Sequence, residues 1–320
     1  TNTEMPAYKI GLMGKPNSGK SYSRMSVDYK SSFVIMPDLS DPYLMKNETE
    51  RVDQFNFLFE DKSYLKTIAS ILNVKYDEDD ENNSINAVVE AIISKKDSLV
   101  DNYKGDAKSK EKIAKIFASI SKFCTGNYSI CPDLANLKNW LKFVSKYMPH
   151  IKHIFLPDFT HYLTNVVASE EFAQKGKSSG GAYSRYTDLA TETVKTFLTK
   201  TINELRSDLV VVIEFHVAID KNTEEKRIFI PSGQMLESTF IPESYFETLL
   251  YCFQDYEEKD ETKRYKFQTR ATEDNPYIRN AGLLPDKVMV NNLNAVIESY
   301  KKANANKFNE SKTTEENATV

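Results

Sequence analysis

Eight consecutive residues carry the clearest chemistry in the chain. Gly14, Lys15, Pro16, Asn17, Ser18, Gly19, Lys20 and Ser21 satisfy the spacing G-x-x-x-x-G-K-[ST] in full. A loop with this spacing suits phosphate binding, because successive backbone N–H groups and the start of a following helix can surround the phosphates of a nucleotide. Gly14 and Gly19 permit the close backbone approach that a side chain would block. Lys20 places a cation on the β- and γ-phosphates, and the Ser21 hydroxyl ligates Mg²⁺. Only ten of 320 residues are glycine, so two of them framing one octet is informative.

A metal at Ser21 requires a carboxylate across from it, normally at the end of a hydrophobic strand. Asp158 holds that place, directly after the apolar run 153–156 and Pro157. A strand-ending aspartate in a Pro-Asp turn is the plainer interpretation, and the phosphate-type octet favours the metal role. The run 209–215 is the most strand-like in the chain, β-branched and apolar on both faces, as at the centre of a parallel sheet. His216 ends it, with Glu214 one alternate position earlier. Where such a strand lies between the phosphate-loop strand and the metal-carboxylate strand, a histidine at its end can donate to the γ-phosphate and link its loss to the loop behind, 217–226. A lone histidine at a strand end is otherwise structural.

The elements that must position these groups follow from apolar patterning. Residues 8–13 read as a buried first strand, followed by a helix from Lys20. A second strand falls at 33–36 and another at 153–156. After the acidic loop 77–83, three amphipathic stretches suit one face of a helix: Ile85, Val88, Val89, Ile92 and Ile93; then Ile113, Ile116, Phe117 and Ile120; then Leu134, Leu137, Trp140, Leu141 and Val144. They predict a helical insert at about 73–150. Its polar side carries Lys104, Lys108, Lys110, Lys112, Lys115 and Lys122, either a solvated face or a surface for DNA or a partner. A polar, glycine-bearing stretch at 169–184 precedes a long helix through Leu189, Val194, Leu198 and Leu205. Shorter strand signals at 227–230, 249–253 and 265–268 predict hairpins, and a last helix covers 290–302. The tail 303–320 has almost nothing to bury and is expected to be disordered.

Composition narrows the function classes. With 46 acidic against 42 basic residues the net charge is −4, so any nucleic-acid contact must come from a local patch. No apolar run is long enough for a membrane span, and the first residues lack a signal-peptide plan, so a soluble, intracellular, cytoplasmic protein without membrane partners is expected. Cys124, Cys131 and Cys252 fit neither a disulfide framework nor a zinc pair and are expected as reduced thiols. His150, His153 and His161 lack matching cysteines for zinc.

The order GKPNSGKS, IFLPDFTH and VVVIEFHV, followed by FIPSGQMLESTFIPESYFETLLYCF and YKFQTRATEDNPYIRNAGLLP, resembles the RecA-like ATPases, and among them the phage recombination proteins of the Sak type with a RecA core. The likeness covers residue 8 to roughly 285, interrupted by the insert. It implies an α/β fold: a RecA-like core over 1–302 with a mostly parallel central sheet flanked by helices, C-terminal β-hairpins and the helical insert. It implies ATP and Mg²⁺ as ligands, with Gly14 to Ser21 as the nucleotide cradle and Ser21 and Asp158 holding the metal.

Further roles come only with that resemblance. Arg279 matches a late basic position that reaches the nucleotide of a neighbouring subunit, so a homo-oligomeric ring or filament is implied. Tyr277 stands where such proteins carry lysine; Arg270 could compensate, or Arg279 could be an exposed arginine without a role. The water-activating glutamate expected after the second strand is replaced by PDLSDP, which leaves Asp38 as the choice. Single-stranded DNA would be held by the loops 169–185, with Lys175, Lys177, Arg185 and Tyr183, and 217–227. The expected activity is DNA-stimulated ATP hydrolysis in phage recombination or replication, in the cytoplasm of an infected bacterium, with a replication or recombination partner at the insert. The alternatives are a nucleotide-gated assembly or loader protein with little hydrolysis and a P-loop small-molecule kinase.

Overall fold

The computed structural model describes residues 6–38, 51–52, 66, 69–70, 72–79, 84, 87–88, 91, 107, 111, 126–177, 181–220, 223–231 and 240–317. Among them are nine strands: β1 (Tyr8–Gly14), β2 (Ser32–Met36), β3 (Tyr128–Ile130), β4 (His153–Leu156), β5 (Val210–Ile219), β6 (Lys226–Ile228), β7 (Thr248–Gln254), β8 (Tyr265–Gln268) and β9 (Val288–Val290). Hydrogen-bonded neighbours give the order β3-β2-β4-β5-β1-β7-β8-β9, with β6 paired to β5, a large, mixed and mostly parallel sheet in an α/β fold. The order places β5 between β1 and β4, as its two-sided apolar pattern predicts: Val210 to Phe215 are all buried. Among the described residues no helix is long and apolar enough to cross a membrane.

The chain divides into two units. One comprises Thr1–Tyr8, Tyr29–Leu156 and Phe197–Val211. Here β2, buried at all five positions, pairs in parallel with β3 (Val34↔Tyr128) and β4 (Phe33↔Ile154). Helix α1 (Leu134–Tyr147) buries Leu137, Leu141 and Val144 completely, each such side chain worth about 1.5–3 kcal/mol. Trp140 of α1 stacks on Phe33 of β2 at 5.8 Å. The C-terminal turn of α1 is closed by Arg206, whose guanidinium donates to the carbonyls of Val144, Ser145, Met148, Pro149 and Ile151.

Only part of the expected helical insert lies among the described residues. Its third stretch is α1, but β3 lies inside it and extends the sheet. Three residues with one buried position are too short for a period to be visible; pairing with β2 makes them a strand. Val88 is helical and fully buried, while most of the first stretch, all of the second and the six lysines lie outside the described residues, as does Cys124.

The other unit comprises Lys9–Asp28, Pro157–Thr196 and Val212–Val320. β7 joins β1 in parallel (Gly11↔Leu249), and the expected hairpins follow it, β8 pairing antiparallel with β7 and β9 with β8. Four expectations change here. The helix from Lys20 is a short 3₁₀ segment, Ser21–Ser26, in which the Ser23 and Ser26 hydroxyls donate back to the carbonyls of Lys20 (2.6 Å) and Ser23 (2.7 Å), competition that disfavours a longer helix. The polar stretch after Ser169 folds into α2's successors, α3 (Glu170–Lys175) and α4 (Gly181–Asp188), α2 itself being Phe159–Ala168. The long helix expected next runs on from α4 as a π-helical turn, Leu189–Lys195; its continuation, Phe197–Thr201, is also π-helical and is counted with the first unit. Val290 ends β9, and the last helix, α5 (Leu293–Asn317), continues into the tail expected to be disordered, because Ala, Lys and Glu propagate a helix once the buried Leu293, Val296 and Ile297 anchor its first turn.

Candidate functional site

The glycine-bounded octet closes β1 at Gly14 and turns through Asn17 (φ 60°) and Gly19 (φ 91°). Lys15, Pro16 and Asn17 are exposed, whereas Ser18, Gly19 and Lys20 are buried. A Cβ on Gly14 would lie 2.6 Å from the Cys252 carbonyl oxygen of β7, so only glycine lets the two backbones meet. Gly19 adopts a left-handed backbone under the ring of Tyr265, where a Cβ would lie 2.6 Å from a ring carbon. The loop is held from behind: Asn291 Nδ2 donates to the Gly19 carbonyl at 2.8 Å, and the Asn291 N–H donates to the Tyr265 carbonyl at 2.9 Å.

Lys20 folds back across this loop. Its Nζ donates to the carbonyls of Gly14 and Lys15, each at 2.9 Å. Burial lowers its pKa, opposed by the carboxylate charges of Glu214 and, more weakly, Asp158. Ser21 Oγ donates to Glu214 Oε2 at 3.2 Å, and Arg24 Nε lies 3.5 Å from Glu214 Oε1. Glu214 is 1% exposed, a carboxylate inside the otherwise apolar run 210–215 of β5.

Asp158 occupies a left-handed backbone conformation (φ 46°, ψ 53°) and caps α2 by accepting from the His161 N–H. His216 Nε2 lies 3.2 Å from Asp158 Oδ1. Partial burial pushes the Asp158 carboxyl up. The hydrogen bond and charge of His216, together with the His161 N–H and side chain, outweigh it and hold the group below the ordinary aspartate value. His216 is fixed in turn, since its N–H donates to Thr160 Oγ1 at 3.0 Å and its carbonyl accepts from Phe229.

Two contacts thus lie within one unit, Ser21 with Glu214 beside the loop and His216 with Asp158 at the start of α2. Arg279 lies in the same unit but near the start of β7, opposite Leu249, with its exposed side chain donating to the Tyr277 carbonyl at 3.4 Å. Asp38 follows β2 in the other unit and is half-buried. Among the described residues, the two expected DNA loops fall largely in regular elements, with 221–222 of the second outside the described residues. The first is α3 and α4, with 178–180 outside the described residues, and Arg185 lies over the rings of Phe172 (4.9 Å) and Tyr186 (5.0 Å). The second is the β5–β6 hairpin, whose Arg227 faces Glu243 and the Tyr277 ring.

Sequence reasoning passed over Arg24, Thr160, Tyr265 and Asn291, and noted Glu214 only as a neighbour of His216. A visible signal existed for Glu214 alone, a charge interrupting the run 209–215. No protein-family model matches the chain, and no curated protein matches it.

Proposed function

We propose that the protein is a Mg²⁺-dependent ATP-binding and ATP-hydrolysing protein of the RecA-like P-loop class, acting on single-stranded DNA in phage recombination or replication. The observation that carries this reading is the glycine-bounded loop at the end of a buried strand, with Lys20 folded onto it and Ser21 bonded to the buried Glu214, and the His216–Asp158 pair in the same unit. Fold likeness alone would not support it, because function is argued from the site.

Each side chain has work to do in that reading. The loop carbonyls hold Lys20 until phosphate oxygens replace them, and the cation then sits on the β- and γ-phosphates. Ser21, Asp158 and Glu214 present hard oxygen donors, the set that Mg²⁺ takes, so the residues fit the ion; Ser21 would bind it directly and Asp158 through water. When bound, the ion neutralises charge on the β- and γ-oxygens. His216, anchored to Asp158, couples the γ-phosphate position to the β5–β6 hairpin that starts beside it. Asp38 is the proposed water-activating carboxylate. Arg279 would complete the site of a neighbouring copy in a ring or filament, and the exposed Lys175 and Lys177 would meet the DNA backbone. Such a protein would work in the cytoplasm of the infected bacterium.

The test is release of phosphate from Mg²⁺-ATP, with and without single-stranded DNA, in wild type and Lys20→Ala. DNA-stimulated release that Lys20→Ala abolishes supports the reading; release that survives in Lys20→Ala defeats it. The aspartate at position 38, where related enzymes carry glutamate, favours a second reading, a nucleotide-gated assembly protein. Tight ATP binding without turnover, with DNA present, selects it.

A further inference from the structure

We propose that Glu214 is the positioning residue for the Ser21 hydroxyl, turning its lone pair toward the Mg²⁺ that accompanies the nucleotide. The inference rests on the nucleotide reading above and assigns a task to a residue which that reading used only as an oxygen donor.

A serine hydroxyl has a single hydrogen. To ligate a cation it must aim a lone pair at the ion, which requires an acceptor behind it to take the hydrogen. Glu214 Oε2 is that acceptor, 3.2 Å from Ser21 Oγ. Asp158 is committed elsewhere, accepting from His216 Nε2 and from the His161 N–H.

Arg24 fixes which way the carboxylate serves. Its Nε lies 3.5 Å from Glu214 Oε1 and donates to the Ser21 carbonyl at 3.4 Å, so one guanidinium ties both members of the pair. Arg24 is 8% exposed and Glu214 1%, and a buried ion pair of this kind holds its geometry while both partners remain. In Glu214→Gln one amide must face both Arg24, a donor, and Ser21. With the amide oxygen on Arg24, its NH₂ turns to Ser21 and consumes the lone pair that the metal needs. The substitution therefore inverts the hydrogen bond at nearly constant volume.

The experiment is a Mg²⁺ titration of mant-ATP binding, read by fluorescence, in wild type, Glu214→Gln, Ser21→Ala and the double variant. Glu214→Gln is expected to raise the Mg²⁺ midpoint by about tenfold or more, the usual cost of losing an outer-shell partner. In the Ser21→Ala background the same change should add nothing, because the hydroxyl it orients is gone. Arg24→Met/Glu214→Gln guards against a folding defect: it removes the competing donor, frees the amide oxygen for Ser21, and should recover most of the midpoint. An unchanged midpoint in Glu214→Gln, or an equal shift in the Ser21→Ala background, overturns the assignment while leaving the nucleotide reading intact. Wild type that binds no mant-ATP at any Mg²⁺ concentration overturns both.

Discussion

His216 Nε2 and Asp158 Oδ1 stand 3.2 Å apart, joining the residue that caps α2 to the polar continuation of β5. Because the contact holds the Asp158 carboxyl below its ordinary value, ionised Asp158 stabilises the folded chain. The increment is present above about pH 4 and is lost as pH falls through the lower folded-state value. Asp158→Asn removes it. The drop in urea midpoint between pH 6 and pH 3 should therefore be smaller in the variant than in wild type, and equal drops would refute the linkage.

Lys20→Ala should leave far-UV circular dichroism unchanged while lowering ATP turnover by about 100-fold or more, the scale of a removed electrostatic contact in a preorganised site. The structural contribution of Lys20 is confined to two loop carbonyls that solvent can satisfy in its place. Calorimetry of nucleotide binding on the same variant separates lost affinity from lost turnover.

Gly19→Ala puts a side chain on a φ of 91° and into the Tyr265 ring. Backbone strain of about 1–3 kcal/mol is expected, with displacement of Tyr265 and of Tyr22, whose ring centroid is 4.8 Å from it. The checks are a lower melting temperature and loss of ATP binding together. Full binding with unchanged melting would mean that the loop tolerates a side chain there.

Arg206→Leu should destabilise by about 3 kcal/mol, because it strips the donor from the carbonyls that end α1 and the turn after it. Chemical denaturation measures this directly. A change below about 0.5 kcal/mol, typical of a neutral surface substitution, would show that water replaces the guanidinium without loss.

Cys131 and Cys252 are both free thiols, and burial pushes Cys131 up to about 11 and Cys252 further still. Neither should react with iodoacetamide at pH 8 in the folded protein, and both should react in denaturant, as peptide mass analysis will show. Rapid native labelling at either position would contradict the burial of its strand or loop.

Much of the framework was legible in the linear pattern. The octet from Gly14 to Ser21, the apolar runs of β1, β2, β4 and β5, and the amphipathic face of α1 depend on local spacing, and each forms where that spacing places it. The departures are equally local in origin. Ser21 to Ser26 looked helical but carries hydroxyls that bond backward, and β3 and β9, with three residues each, hold too little periodicity to be seen without their neighbours.

What the order of residues determined alone is therefore the phosphate-type loop and the strands that frame it, because glycine freedom and apolar alternation act over a few positions. Tertiary structure alone decided that Glu214 meets Ser21 across 193 positions, that Asn291 holds Gly19 across 272, and that β7 runs beside β1. Those contacts depend on which strands pair and in what register. Pairing is chosen by burial summed over the whole sheet, a quantity that no short window of sequence contains.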